Sequence, residues 1–156
     1  MIPTGADMMF KNILLPTDGS PLSDKGVRRG IAFAKQIKAR VTTIHVVPEF
    51  RSLADEGLLP TSAAQLRQRF VQEARARGQR IVDKVAKKAK AAGVRCKCVL
   101  APSGVPYERI IAAARKEKCD LIFMSSHGRR GLSSVLLGSE TAKVLTHSKV
   151  PVLVVR

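Results

Sequence analysis

Five short apolar runs alternate along this chain with longer segments whose apolar residues recur every three or four positions. That alternation constrains the fold strongly, because parallel strands cannot be joined by a tight hairpin and need a crossover, usually a helix. The first run, Lys11 to Thr17, holds Ile13-Leu14-Leu15 and is stopped by Pro16 and the turn-forming Asp18-Gly19-Ser20-Pro21. A helix follows from Pro21 to about Lys38, with Val27, Ile31, Ala34 and Ile37 on one face, Ser20 as N-cap and Pro21 at the first helical position. Val41 to Val47 is a second strand, ended by Pro48.

Thr61 to Ala92 reads as one long helix, with Leu66, Phe70, Ala74, Gly78, Ile81, Val85 and Ala89 tracing a face and Gly93 as the stop. Then come a strand at Val94 to Leu100, a helix at Pro106 to Lys118, a strand at Asp120 to Ser125, a helix at Ser139 to His147 and a last strand at Val150 to Val155. Right-handed crossovers turn this order into a doubly wound α/β layer, a parallel sheet with helices on both faces. A length of 156 residues and 45% apolar content fit a single domain, residues 1–156, with residues 1–10 as a short N-terminal tail. Glu49 to Pro60 has no periodicity and is expected to be a mobile connection.

The first ten residues lack the features of a secretory signal, and no segment approaches the ~20 apolar residues of a membrane span, so a soluble, cytoplasmic protein is expected. Three cysteines make an odd count. Cys96 and Cys98 sit two apart in a strand, point the same way and would bridge only with strain. With His45, His127 and His147 scattered and none at zinc-finger spacing, the cysteines read as small buried hydrophobes, and no metal site is expected.

Charge sets the sign of the partner. Twenty-eight Lys plus Arg against 12 Asp plus Glu leave +16, a field that attracts nucleotides, nucleic acid, acidic proteins and anionic membrane surfaces alike. Nine of the basic residues lie between Arg67 and Lys90 on the long helix. Glu73 with Arg77 and Asp83 with Lys87 have the favourable i to i+4 order there, but they cannot neutralise that face.

In sheets of this kind the ligand lies beyond the C-terminal strand ends, where the winding reverses. Two loops suit that place: Pro16-Thr17-Asp18-Gly19-Ser20 after the first strand, and Ser125-Ser126-His127-Gly128-Arg129-Arg130-Gly131 after the fourth. The second meets a helix start at Gly138-Ser139-Glu140-Thr141, where hydroxyls stand beside free amide donors, a common way to hold phosphate. Neither a G-x-G-x-x-G fingerprint nor a Walker loop follows the first strand, which removes the dehydrogenase and P-loop NTPase readings. Asp18 also suits a plain turn and helix cap, and Arg129 and Arg130 are either forked phosphate donors or solvated loop residues. Nucleophilic catalysis needs an oriented base and an oxyanion site, and the sequence adjacency of His127 to Ser125 and Ser126 supplies neither.

These residues resemble the universal stress protein family, whose members carry an Asp after the first strand and a C-terminal signature G-2x-G-9x-G-[S/T]. Gly128 stands at the second glycine, nine residues from Arg129 to Leu137 follow, and Gly138-Ser139 completes the pattern, whereas its first position holds Ser125. The resemblance runs from Lys11 to Val155. It implies a five-stranded parallel sheet in the order 3-2-1-4-5, a homodimer joined partly through the last strand, Val150 to Val155, and, in some members, bound ATP with Mg²⁺ or Mn²⁺. Carried over by position, Asp18 and the backbone at Val46 would meet adenine, and Met124 and Ser125 would flank ribose and phosphates. Gly128, Gly138, Ser139 and Thr141 would hold the phosphates. The function so implied is an adenine-nucleotide sensor or adaptor in the stress response, with an unknown protein partner and at most slow ATP hydrolysis. The alternative is a nucleotide-free adaptor whose basic surface binds an acidic protein or nucleic acid, although base-stacking aromatics are scarce, at five Phe, one Tyr and no Trp.

Overall fold

A computed structural model describes residues 9–50, 62–127 and 137–156 of the chain. Strands β1 (Asn12–Pro16), β2 (Arg40–Val47), β3 (Cys96–Pro102), β4 (Leu121–Ser125) and β5 (Val152–Val155) form one parallel sheet in the order β3-β2-β1-β4-β5. Helices α1 (Pro21–Gln36) and α2 (Ser62–Ala91) pack on one face, and α3 (Pro106–Lys116) and α4 (Ser139–His147) on the other. The expected fold class and strand order are therefore found.

Period-two alternation explains how one sheet feeds two cores. Ile13, Leu15, Val41, Leu121 and Phe123 meet Val27 and Ile31 of α1 and Val85 of α2, while Leu14, Ile44, Ile122 and Met124 meet Ile110 of α3 and Val144 of α4. Ile13, Leu14, Leu15 and Ile122 are fully buried. Each such side chain contributes about 1.5–3 kcal/mol relative to exposure.

At the N-terminal edge of the sheet a polar cluster fixes β1 beside β4. The Asp120 carboxylate accepts the backbone N–H of Lys11 at 2.8 Å and of Asn12 at 3.0 Å. Buried Asn12 donates to the Glu117 carbonyl at 2.9 Å and accepts from the Thr42 hydroxyl at 3.1 Å, which satisfies its amide within the core.

Element ends differ from the sequence pattern where capping intervenes. The third strand starts at Cys96 and not at Val94, because Gly93 is left-handed, at φ 75°, and Val94 turns back to donate to the Ala89 carbonyl as the buried residue closing α2. Lys38 and Lys118 are left-handed at φ 56° and 53°, which shortens the first and third helices. Asp120 leaves the fourth strand for the cluster just described. The fifth strand begins at Val152. The expected connection from Glu49 to Pro60 falls mostly outside the described residues, as does Thr61.

The long helix departs most. Its 30 residues span ~45 Å against ~23 Å for the seven residues of β3. The expected apolar face is thus buried only from Gly78 onward, at Gly78, Val85 and Ala89, with Ile81 half-buried and Val82, outside the expected face, buried in its stead, whereas Leu66 is 60% and Phe70 37% exposed. The two i to i+4 ion pairs foreseen on α2 are not among those formed by the described residues: Asp83 accepts from Gln79 at 2.8 Å, and the helix is tied to α1 by a Lys88–Asp24 ion pair.

Close helix approach depends on Gly30, where an added Cβ would lie 2.5 Å from Leu15 Cδ2 and 3.1 Å from Phe123 Cδ1. Both neighbours are buried and cannot yield. Gly30→Val is expected to lower unfolding free energy by about 1–3 kcal/mol, read as an earlier urea midpoint with unchanged slope; an unchanged midpoint would show that α1 does not pack this closely.

Candidate functional site

The winding reverses between β1 and β4, which are hydrogen-bonded neighbours with opposite crossovers, so their C-terminal ends open one crevice. On the β1 side, the Asp18 carboxylate accepts the Ser20 N–H at 2.9 Å, and Ser20 caps α1 by accepting the Ser23 N–H at 3.2 Å, with Pro21 in the first turn. Asp18 therefore does start the turn. Gly19 is left-handed, at φ 78°, and an added Cβ would stand 2.7 Å from Ile81 of α2, so glycine is required there for both reasons.

Val46 lies two residues beyond Ile44, whose carbonyl accepts the Thr17 N–H at 2.9 Å at the end of the β1 pairing. Alternate residues of a parallel strand turn their backbone groups to the same side, so Val46 faces the space that β1 has left. His45, buried in the same strand, holds the Thr17 carbonyl with Nδ1 at 2.8 Å and steadies the loop.

On the β4 side, Met124 is buried in the α3–α4 core. Ser125 occupies the glycine position of the signature without left-handed backbone. Its Oγ donates to the His127 carbonyl at 2.8 Å. Its Cβ lies against α1 at Gly26, where an added Cβ would be only 3.0 Å away. The serine thus occupies space left by a helical glycine.

The Thr141 hydroxyl donates to the Ser125 carbonyl at 3.1 Å and is buried, so what it offers a ligand is backbone. Gly138 caps α4 without a side-chain hydrogen bond, and its N–H donates to the Ser126 carbonyl at 2.7 Å. An added Cβ at Gly138 would lie 2.9 Å from that same oxygen. The first intrahelical bond runs from Ala142 to Gly138, which leaves the amides of Ser139, Glu140 and Thr141 as the open end of the helix. Ser139 is exposed. Gly128, Arg129, Arg130 and Gly131 lie outside the described residues.

His127 belongs to this corner in a way its sequence position did not reveal. Its Nδ1 is 2.9 Å from Ser126 Oγ, while its buried Nε2 has no partner. No carboxylate among the described residues orients the ring, so the arrangement falls short of a nucleophilic triad. Among the described residues no group of three His, Cys, Asp or Glu side chains is placed to hold a metal ion.

The chain belongs to the universal stress protein family: the model of that family matches residues 9–156. Universal stress protein MJ0531 of Methanocaldococcus jannaschii is 35% identical over 150 residues, covering 95% of this chain and 83% of that protein. Universal stress protein MJ0577 of the same organism is 31% identical, and its solved structure superposes with a TM-score of 0.73 over 94% of this chain and 96% of that one. Two further structures share the fold, a universal stress protein in complex with cAMP (TM-score 0.64, 24% identity, 94% of this chain and 97% of that one) and one from Archaeoglobus fulgidus in complex with dAMP (0.62, 15%, 95% and 99%). No helix among the described residues is long and apolar enough to cross a membrane.

The cysteines, expected as buried hydrophobes, differ among themselves: Cys119 is buried, and Cys96 and Cys98 are half-buried on the edge strand β3. Burial pushes the Cys96 thiol up to about 12, with Cys98 beside it adding to the rise, and the Cys119 thiol up to about 11. Burial also raises Cys98. A raised thiol holds less thiolate, the reactive form, at any given pH. Cys96 and Cys119 should therefore react with Ellman's reagent at pH 8 at least ~50-fold more slowly than in the urea-unfolded chain. Equal rates would show that the thiols are open.

Proposed function

We infer that this chain binds adenine nucleotide in the crevice between the β1 and β4 loops and works as a cytoplasmic, single-domain sensor or adaptor of the stress response, not as a catalyst. The observation that carries this reading is the open N-terminus of α4, seated against the end of β4 across the crevice from the Asp18 turn. Phosphates there would meet the amides of Ser139, Glu140 and Thr141 with the helix dipole behind them. Gly138 would let the backbone approach, as would Gly128 by its place in the signature, Ser139 adds a hydroxyl, and the backbone of Met124 and Ser125 would form the adjoining wall. Adenine would lie toward Asp18 and the backbone of Val46. Two proteins of the same fold whose structures were solved in complex with cAMP and with dAMP lend support, since both ligands are adenine nucleotides. A Mg²⁺ or Mn²⁺ accompanying ATP would take its ligands mainly from phosphate oxygens and water.

Titration calorimetry with ATP and Mg²⁺ tests this reading. Saturation at one site per chain is expected, weakened at least ~10-fold in Gly138→Ala, whose Cβ pushes the first turn of α4 off the Ser126 carbonyl. Ser125→Gly should bind within ~3-fold of wild type, because the serine side chain faces Gly26 and the His127 carbonyl. Absence of heat for wild type and Ser125→Gly alike would overturn nucleotide binding and leave the basic face of α2, docking an acidic protein or nucleic acid, as the function.

The same reading includes a homodimer. β5 is an edge strand whose four residues stay half-buried with apolar side chains on both faces, a surface that attracts another chain. Val150 to Val155 would pair across the dimer axis. Light scattering at micromolar concentration should give twice the 16.9 kDa chain mass, and a single-chain mass would refute the dimer.

A further inference from the structure

α2 runs past the C-terminal edge of the sheet, and between its projecting half and the ends of β2 and β3 lies a pocket of about 340 Å³. The floor is Val47, Pro48, Leu100 and Pro102, and the sides are Phe50 and, from the helix, Arg67, Val71 and Arg75. None of these is among the residues assigned to the nucleotide crevice, which opens on the other side of β2.

The three helix residues stand at i, i+4 and i+8, one stripe in which an apolar side chain separates two guanidiniums about 12 Å apart along the axis. Their long stems can converge over Val71. Neither arginine has an ion pair or hydrogen bond among the described residues, although Glu49 also lines the pocket. Phe50, which lines the pocket, meets Phe70 of the helix with ring centroids 5.2 Å apart and the planes tilted by 51°. Val71 is 47% exposed, so the stripe presents apolar surface to solvent.

An apolar floor with two guanidiniums uncommitted among the described residues against the single carboxylate of Glu49 leaves a net positive lining, which selects for an apolar body carrying one negative group. A nucleotide or sugar phosphate would desolvate many hydroxyls against Val47, Leu100 and Pro102 without partners. The volume is at the small end of ligand pockets. We propose that this pocket binds a small amphiphilic monocarboxylate, with the hydrocarbon body between Phe50 and Leu100 and the carboxylate held by Arg67 and Arg75. The guanidinium fork matches a carboxylate in a way that a lone ammonium would not. The pocket works whether or not the neighbouring crevice takes a nucleotide.

Octanoate is the probe, followed by amide chemical shifts of the ¹⁵N-labelled full chain. Saturable shifts at Val47, Glu49 and Phe50 and at Arg67 to Arg75 are expected, with binding weakened at least ~10-fold in the surface double variant Arg67→Gln/Arg75→Gln. Octan-1-ol and octylammonium should bind at least ~10-fold more weakly than octanoate. Equal binding of either control, an unaffected double variant, shifts confined to other regions, or displacement of octanoate by ATP would each overturn the proposal.

Discussion

Everything at the candidate site depends on β1 and β4 being held side by side at one end and free to part at the other. Asp120 binds two amides of the incoming β1 strand, and Asn12 ties the same point to Glu117 and Thr42. The β1–β4 register covers only Ile13 with Leu121 and Leu14 with Ile122. Beyond it, the chain leaves β1 toward α1 on one face and leaves β4 toward α4 on the other. A buried polar cluster is costly when half satisfied, so this one specifies a single pairing at the N-terminal edge. The crevice at the opposite edge follows from topology and needs no strain of its own.

Helix placement then sets how narrow the crevice is. Gly26 and Gly30 let α1 approach β4 and β1 to within contact of Ser125, Phe123 and Leu15, and Gly78 lets α2 approach His45 and Leu100. A glycine inside a helix costs up to about 1 kcal/mol relative to alanine; here the loss is offset by buried contact along four strands. Ser125 shows the same trade from the strand side. In the signature this position is a glycine; in this chain the added side chain fits because its neighbour on α1 has none. The departure from the family pattern is absorbed across the α1–β4 interface.

Much of this was legible in the sequence, for identifiable reasons. Five apolar runs alternating with helical segments require crossovers, so a parallel sheet with helices on both faces followed, and the Ser20 cap and Pro21 start were set by local chemistry. The strand order came from the family resemblance, since periodicity carries no information about which strands are neighbours. The projection of α2 was not legible, because the face from Leu66 to Ala89 keeps one period throughout while the sheet beneath it ends near Gly78. Nor was the β3 start, where Val94 is apolar for capping α2 and not for pairing. At the site, Thr141 read as a phosphate ligand from its hydroxyl, but that hydroxyl is spent on Ser125, a long-range contact that spacing cannot show.

The same projection explains where the charge acts. Screening at physiological salt reduces interactions between exposed charges beyond about 8 Å, so the +16 total matters less than where its members stand. Arg67, Arg69, Arg75 and Arg77 lie on the part of α2 that overhangs the strand ends, and Ile81 further along that helix packs against Gly19 beside Asp18. The positive field is thus placed over the C-terminal edge of the sheet, where the open amides of α4 also point. An anion approaching that edge is drawn first by mobile arginines and met next by fixed backbone dipoles. Only the second set can distinguish one anion from another by geometry, because long exposed side chains lose rotamer freedom on ordering and amides already fixed by the fold do not.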